Sequence, residues 1–89
     1  MLNDIDILNT AETLTTKGLV NRLGLRLGLP QRRIDAHLYD HRYITEAALK
    51  VLREWRKTAG PSAVAYQELG MALVEAGMND TAREVLNYL

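Results

Sequence analysis

The sequence predicts an all-α domain. Fifteen Leu and ten Ala stand against four Ile, five Val, one Trp and no Phe. Leu and Ala favour helix, whereas β-branched and aromatic residues favour strand. No segment alternates apolar and polar residues with period two, while several repeat apolar residues at three and four. Breakers cut the 89 residues into six pieces with short joints, the spacing of a helical bundle.

The first helix is expected over roughly Asp4–Thr15, capped by Asn3 or Asp4, with Ile7, Ala11 and Leu14 on one face. Thr15, Thr16, Lys17 and Gly18 then read as a turn. The second helix, roughly Leu19–Leu27, turns Val20, Leu23 and Leu27 inward and stops at Gly28, which can take positive φ. Pro30 suits the first turn of a third helix, roughly Pro30–Tyr39, with Ile34 and Leu38 inward. His41–Tyr43 forms a loop. The fourth helix, roughly Thr45–Thr58, has the clearest stripe: Ala48, Val51, Leu52, Trp55 and Ala59. Gly60-Pro61 ends it, and Ser62 is the expected cap of a fifth helix, roughly Ala63–Ala76. That helix is apolar most of the way round, with Ala65, Leu69, Ala72 and Leu73 on one face and Val64, Met71 and Val74 beside it. Such a helix is expected at the centre. After Gly77, Asn79 or Asp80 is expected to cap a last helix carrying Ala82, Val85, Leu86 and Leu89 as one stripe. The core is expected to include Leu23, Ile34, Leu52, Trp55, Leu69 and Leu73. Residues 1–89 read as one module with no internal repeat.

Composition narrows the function classes. Hydrophobic residues make up 47% and charged residues 25%, unlike a disordered tail. No run reaches the roughly 18 apolar residues of a membrane span, and no basic-then-apolar leader opens the chain. Without cysteine there is no disulfide, thiolate metal site or thiol nucleophile, which suits a reducing compartment. A chain of this size buries only about 60–65% of its unfolded surface and leaves little room for a deep pocket.

Catalytic and cofactor motifs find no footing. His37 and His41 are four apart, the spacing that pairs imidazoles in zinc-binding helices. The intervening Leu-Tyr-Asp lacks the motif's Glu, and no third ligand follows. Two imidazoles near a helix end suit the helix dipole without any metal. Gly24-Leu-Arg-Leu-Gly28 is not followed by the Lys-Ser/Thr of a phosphate loop, and no nucleophile elbow is present. No enzyme activity, cofactor or metal is therefore expected. Trp55 is a residue type enriched at binding hot spots, but its place on the apolar stripe assigns it to the core.

Charge layout says more than net charge, which is formally zero. Residues 1–16 hold Asp4, Asp6 and Glu12 and no base; residues 17–57 hold ten bases and four acids; residues 58–89 hold Arg83 against Glu68, Glu75, Asp80 and Glu84. A basic middle thus lies between acidic ends. The third helix opens with Arg32-Arg33, and Lys50, Arg53 and Lys57 share the face of the fourth helix opposite its core stripe. Separate patches of both signs suit pairing with copies or relatives of the chain, or neutralise each other within the monomer.

The order of motifs resembles a death domain, of the six-helix death-fold superfamily, over about residues 17–86. Leu23-Gly24-Leu25-Arg26-Leu27-Gly28-Leu29 is similar to the family's stretch ending helix 2, and Pro30-Gln31-Arg32-Arg33-Ile34-Asp35 to the opening of helix 3. Leu49-Lys50-Val51-Leu52-Arg53-Glu54-Trp55 resembles helix 4, and Gly60-Pro61-Ser62-Ala63 the approach to helix 5. Leu69, Ala72-Leu73 and Gly77-Met78-Asn79-Asp80-Thr81-Ala82 resemble helix 5 and the start of helix 6. Each piece is ordinary bundle grammar; their combination in order is more specific. Many death domains carry a Trp at the start of helix 2, where this chain has Lys17-Gly18-Leu19-Val20. That departure leaves the packing of helix 1 and a caspase-recruitment sister subfamily open, while Leu52 and Trp55 favour the death domain proper.

The resemblance implies a six-helix antiparallel bundle of the death-fold type. It also implies a cytoplasmic, non-enzymatic module that binds other death domains, itself included, in apoptotic or innate-immune signalling. Family assemblies use three asymmetric contacts. One joins helices 1 and 4 to helices 2 and 3. Another joins the helix 4 end and 4–5 loop to the 5–6 loop and helix 6. The third joins helix 3 to the 1–2 and 3–4 loops. Arg53, Arg56 and Lys57 would then face Asp80 and Glu84, while Arg32 and Arg33 would serve the helix 3 contact. Lys50 would extend the basic patch and Asp4 and Asp6 the acidic one. The competing reading is a helix-turn-helix DNA reader over residues 19–38, with Gln31, Arg32 and Arg33 opening the recognition helix.

Overall fold

The computed structural model describes residues 2–88 and, among them, six helices and no strand. They are α1 (Asp4–Thr13), α2 (Lys17–Arg26), α3 (Gln31–Asp40), α4 (Ile44–Thr58), α5 (Ser62–Glu75) and α6 (Asn79–Leu86).

Local chemistry explains most boundaries. Asn3 caps α1 by accepting from the Asp6 N–H at 2.8 Å, while Asp6 accepts from the Asn3 N–H at 3.2 Å, a reciprocal capping box. Thr16 caps α2 by accepting from the Leu19 N–H, so Lys17 and Gly18 begin the helix instead of forming a turn. After α2, Gly28 takes φ +92°, and Leu29 N–H reaches back to the Gly24 carbonyl at 3.0 Å. The stop after α5 repeats the device: Gly77 has φ +83°, and Met78 N–H donates to the Leu73 carbonyl at 2.8 Å. Both are Schellman closures, which need a residue tolerant of the left-handed region.

Two expected caps are absent. Ser62 is the first residue of α5 behind Pro61, and its hydroxyl donates to the Leu2 carbonyl at 2.8 Å, tying the start of α1 to the start of α5. The α6 N-cap position falls on Met78, one residue before Asn79, without a side-chain hydrogen bond. In both cases a tertiary or backbone contact overrides the local signal. Leu89, expected on the α6 stripe, lies outside the described residues.

The helices enclose one core. Leu23, Ile34, Leu52, Trp55, Leu69 and Leu73 are all buried in it, with Ile7, Ala11, Leu14 and Val20. The centre is α4, which packs against α1, α2 and α3; α5 packs against α6 and α2, and α1 also meets α6. The expectation of a central α5 is thus corrected. Its apolar surplus is wider than its neighbours cover, leaving Val64 and Met71 54% and 55% exposed. On α4, buried Ala47 and Ala48 add little bulk and admit neighbours closely on several sides.

A close approach joins α2 to α3 and α4. A methyl added at Gly24 would lie 2.8 Å from Ile34 Cδ1 and 3.4 Å from Val51 Cγ1. Gly24→Ala gains helix propensity of about 1 kcal/mol but must displace a fully buried Ile34, at about 1–3 kcal/mol. The expected net result is a loss of about 1 kcal/mol in urea unfolding.

Candidate functional surface

The charged residues divide into those engaged within the molecule and those facing outward. On α4, Lys50, Arg53 and Lys57 are exposed and make no side-chain hydrogen bond or salt bridge within the described residues. Arg56, expected beside them, is half-buried and donates to the Gly60 carbonyl at 2.9 Å, closing the end of α4. Arg32 at the start of α3 is exposed. Arg33 is held intramolecularly: its guanidinium grips Glu54 of α4 through Nη2 at 2.8 Å and Nε at 3.2 Å.

His37, one turn along α3, meets the same Glu54 oxygen through Nε2 at 2.8 Å. Its ring is stacked 6.4 Å from His41. The two histidines thus lie together, but among the described residues no group of three His, Asp or Glu is arranged to hold a metal ion. Hydrogen bonds from Arg33 and then His37 hold the Glu54 carboxyl at about 2, below the ordinary 4.5. Because the folded value lies below the unfolded one, this stabilisation is complete above about pH 4.5 and is lost as pH falls through about 2. Glu54 and Arg33 remain partly solvated, so screening limits the contribution to about 1 kcal/mol. The urea stability of a Glu54→Gln variant should fall below the parent's by that amount at pH 6, and the gap should close towards pH 2.

The acidic residues are similarly divided. Asp6 is engaged in the α1 capping box, whereas Asp4 and Glu12 are exposed on α1. Asp80 and Glu84 are exposed on α6, where Asp80 accepts from Arg83 at 2.6 Å. Asp80 also lines an open cleft of about 430 Å³, formed with Thr13, Leu19, Met78 and Thr81. The 5–6 loop and start of α6 therefore offer an open concavity whose one carboxylate, Asp80, is paired with Arg83.

Exposed apolar residues join these charges. Ile5 and Leu8 lie uncovered on the α1 face that carries Asp4 and Glu12. Leu25 lies uncovered on the α2 face that carries Arg26 and Arg22, the latter donating to the Ala76 carbonyl at 3.2 Å. Their signal in the sequence is weak: each is an apolar residue one step off its helix's core stripe. The Arg33–Glu54 pairing had no local signal, since its partners are 21 residues apart.

Trp55 is 3% exposed, and its Nε1–H donates to Glu68 at 2.9 Å, linking α4 to α5. Of the residues that would open a DNA-recognition helix, Gln31 bonds Asn21 and Asp35, and Arg33 is held by Glu54. Only Arg32 of the three is left facing outward without such a partner.

Comparison with protein-family models, curated proteins and solved structures finds no match to this chain. Among the described residues no helix is long and apolar enough to cross a membrane.

Proposed function

We propose that the chain is a cytoplasmic, non-enzymatic interaction module of the death-domain kind. It binds other death domains or copies of itself in apoptotic or innate-immune signalling assemblies. The observation that carries this reading is the placement of opposite charges on different exposed helix faces, some beside uncovered apolar side chains. Asp4 and Glu12 flank Ile5 and Leu8 on α1, whereas Arg26 flanks Leu25 on α2, next to Arg22, which is tied to the Ala76 carbonyl. Exposed Arg53 and Lys57 on α4 likewise oppose Asp80 and Glu84 in sign.

These surfaces fit two contacts implied by the family resemblance. The α1 face complements the α2 face in sign, and the end of α4 complements the exposed carboxylates Asp80 and Glu84 of α6. Both join unlike surfaces, so repetition produces a closed ring or an open helical stack according to the rotation between copies. Each exposed charge pair contributes about 1 kcal/mol or less and is screened by salt. Stable assembly therefore needs several pairs around apolar contacts, or multivalency.

Light scattering after size exclusion tests the reading over a concentration series in low and high salt. The expected result is a mass that rises with protein concentration and falls as salt rises. A monomer throughout rejects homotypic assembly over that range and directs the search to a heterologous death-domain partner. Steeply salt-dependent binding to random duplex DNA would favour the competing nucleic-acid reading.

A further inference from the structure

We propose that α3 is a separately opening unit of the domain, latched to α4 by Glu54. It contributes one buried residue, Ile34, with half-buried Leu38 packed against the core, whereas α4 and α5 contribute five buried residues each. Its ten residues are too few to persist as an isolated helix, and its N-cap, Pro30, supplies no side-chain hydrogen bond.

The surrounding architecture can survive its departure. Helix α3 packs principally on α2 and α4, while contacts from α1 to α4 and α6, and from α5 to α2 and α6, do not pass through it. Gly28 lies in the connection before α3, and residues 41–43 form the connection after it. Against this small apolar anchorage, the side-chain links are few. Gln31 reaches Asn21 of α2, while Arg33 and His37 converge on Glu54 of α4. Glu54 thus joins two successive turns of α3 to the central helix.

Opening would melt α3, expose Ile34 and release Arg33 beside exposed Arg32. The basic surface would gain a cation that is engaged in the closed state. Segments with little buried apolar area can open sub-globally below the free energy of complete unfolding. Glu54 is a positioning residue in this device.

Native-state amide hydrogen exchange on the full 89-residue chain tests the proposal. In the parent, the hydrogen-bonded amides of α3 will exchange faster than those of buried α4 and α5 positions. Glu54→Gln keeps the side chain's shape but removes its charge, and should accelerate α3 exchange about fivefold. Exchange of the α5 core, which proceeds through complete unfolding and so also breaks the latch, should accelerate by a similar factor, with α3 remaining the faster of the two in both proteins. Arg33→Gln should reproduce the pattern, and Asp80→Asn, which alters a pair within α6, should not. α3 amides as slow as the α5 core in the parent, or α3 exchange unmoved by Glu54→Gln, overturns the proposal. This readout needs no binding partner, so its failure is distinct from failure of the interaction reading.

Discussion

A Leu52→Ala variant will lose about 3–4 kcal/mol of unfolding free energy, the largest single-site stability effect expected here. Leu52 is fully buried on α4, the helix against which α1, α2 and α3 pack. Truncation removes apolar burial and leaves a cavity that surrounding helices can fill only by moving together. A domain of this length has about 5–13 kcal/mol in total, so the variant will unfold at much lower urea and will be partly unfolded under assay conditions if the parent is near the lower end. Equilibrium urea unfolding followed by circular dichroism measures the change. A loss below about 1 kcal/mol would show that the neighbours close the space, contrary to the central position assigned to α4.

Reversing Arg53 and Lys57 to Glu together should abolish assembly while leaving the fold intact. Both side chains are exposed and have no salt-bridge partner within the described residues. Their replacement breaks no intramolecular ion pair, and surface changes of this sort usually alter stability by less than about 0.5 kcal/mol. At an interface with Asp80 and Glu84 the same change turns two attractions into two repulsions. The variant should remain monomeric at concentrations where the parent assembles, with an unchanged far-ultraviolet spectrum and urea midpoint. Adding Asp80→Lys and Glu84→Lys to a second chain should restore mixed assembly with the reversed one. Parent-like assembly by Arg53→Glu/Lys57→Glu would remove the α4 end from the interface.

The choice of these two cations depends on a distinction that the linear sequence does not supply. Arg33, Arg53 and Arg56 are alike as isolated basic residues. Folding commits Arg33 to Glu54 and Arg56 to the Gly60 carbonyl, and leaves Arg53 outward. Reversal at Arg33 would therefore mix loss of an internal interaction with any effect on a partner.

The helical class, the six segments and most of the core are legible in the linear chain, although buried Leu2, Leu29, Ala47, Ala76 and Met78 are not, and Leu38 and Val85 are only half-buried. Those properties rest on local propensity and on apolar repeats at three and four, and the repeated contacts along a helix depend on that spacing. The α4 stripe from Ala48 to Ala59 is buried along its whole length, and Gly28 and Gly77 stop their helices through left-handed backbone. Tertiary structure alone decided which helix is central, because an apolar face becomes core only where neighbours cover it. Val64 and Met71 remain exposed for lack of such cover, while the inner face of α4 is covered by α1, α2 and α3. It also decided which charges face outward. An ion pair such as Arg33–Glu54 depends on the relative placement of two helices, which neither residue's local sequence specifies. The outward surface is the remainder after those long-range contacts have formed.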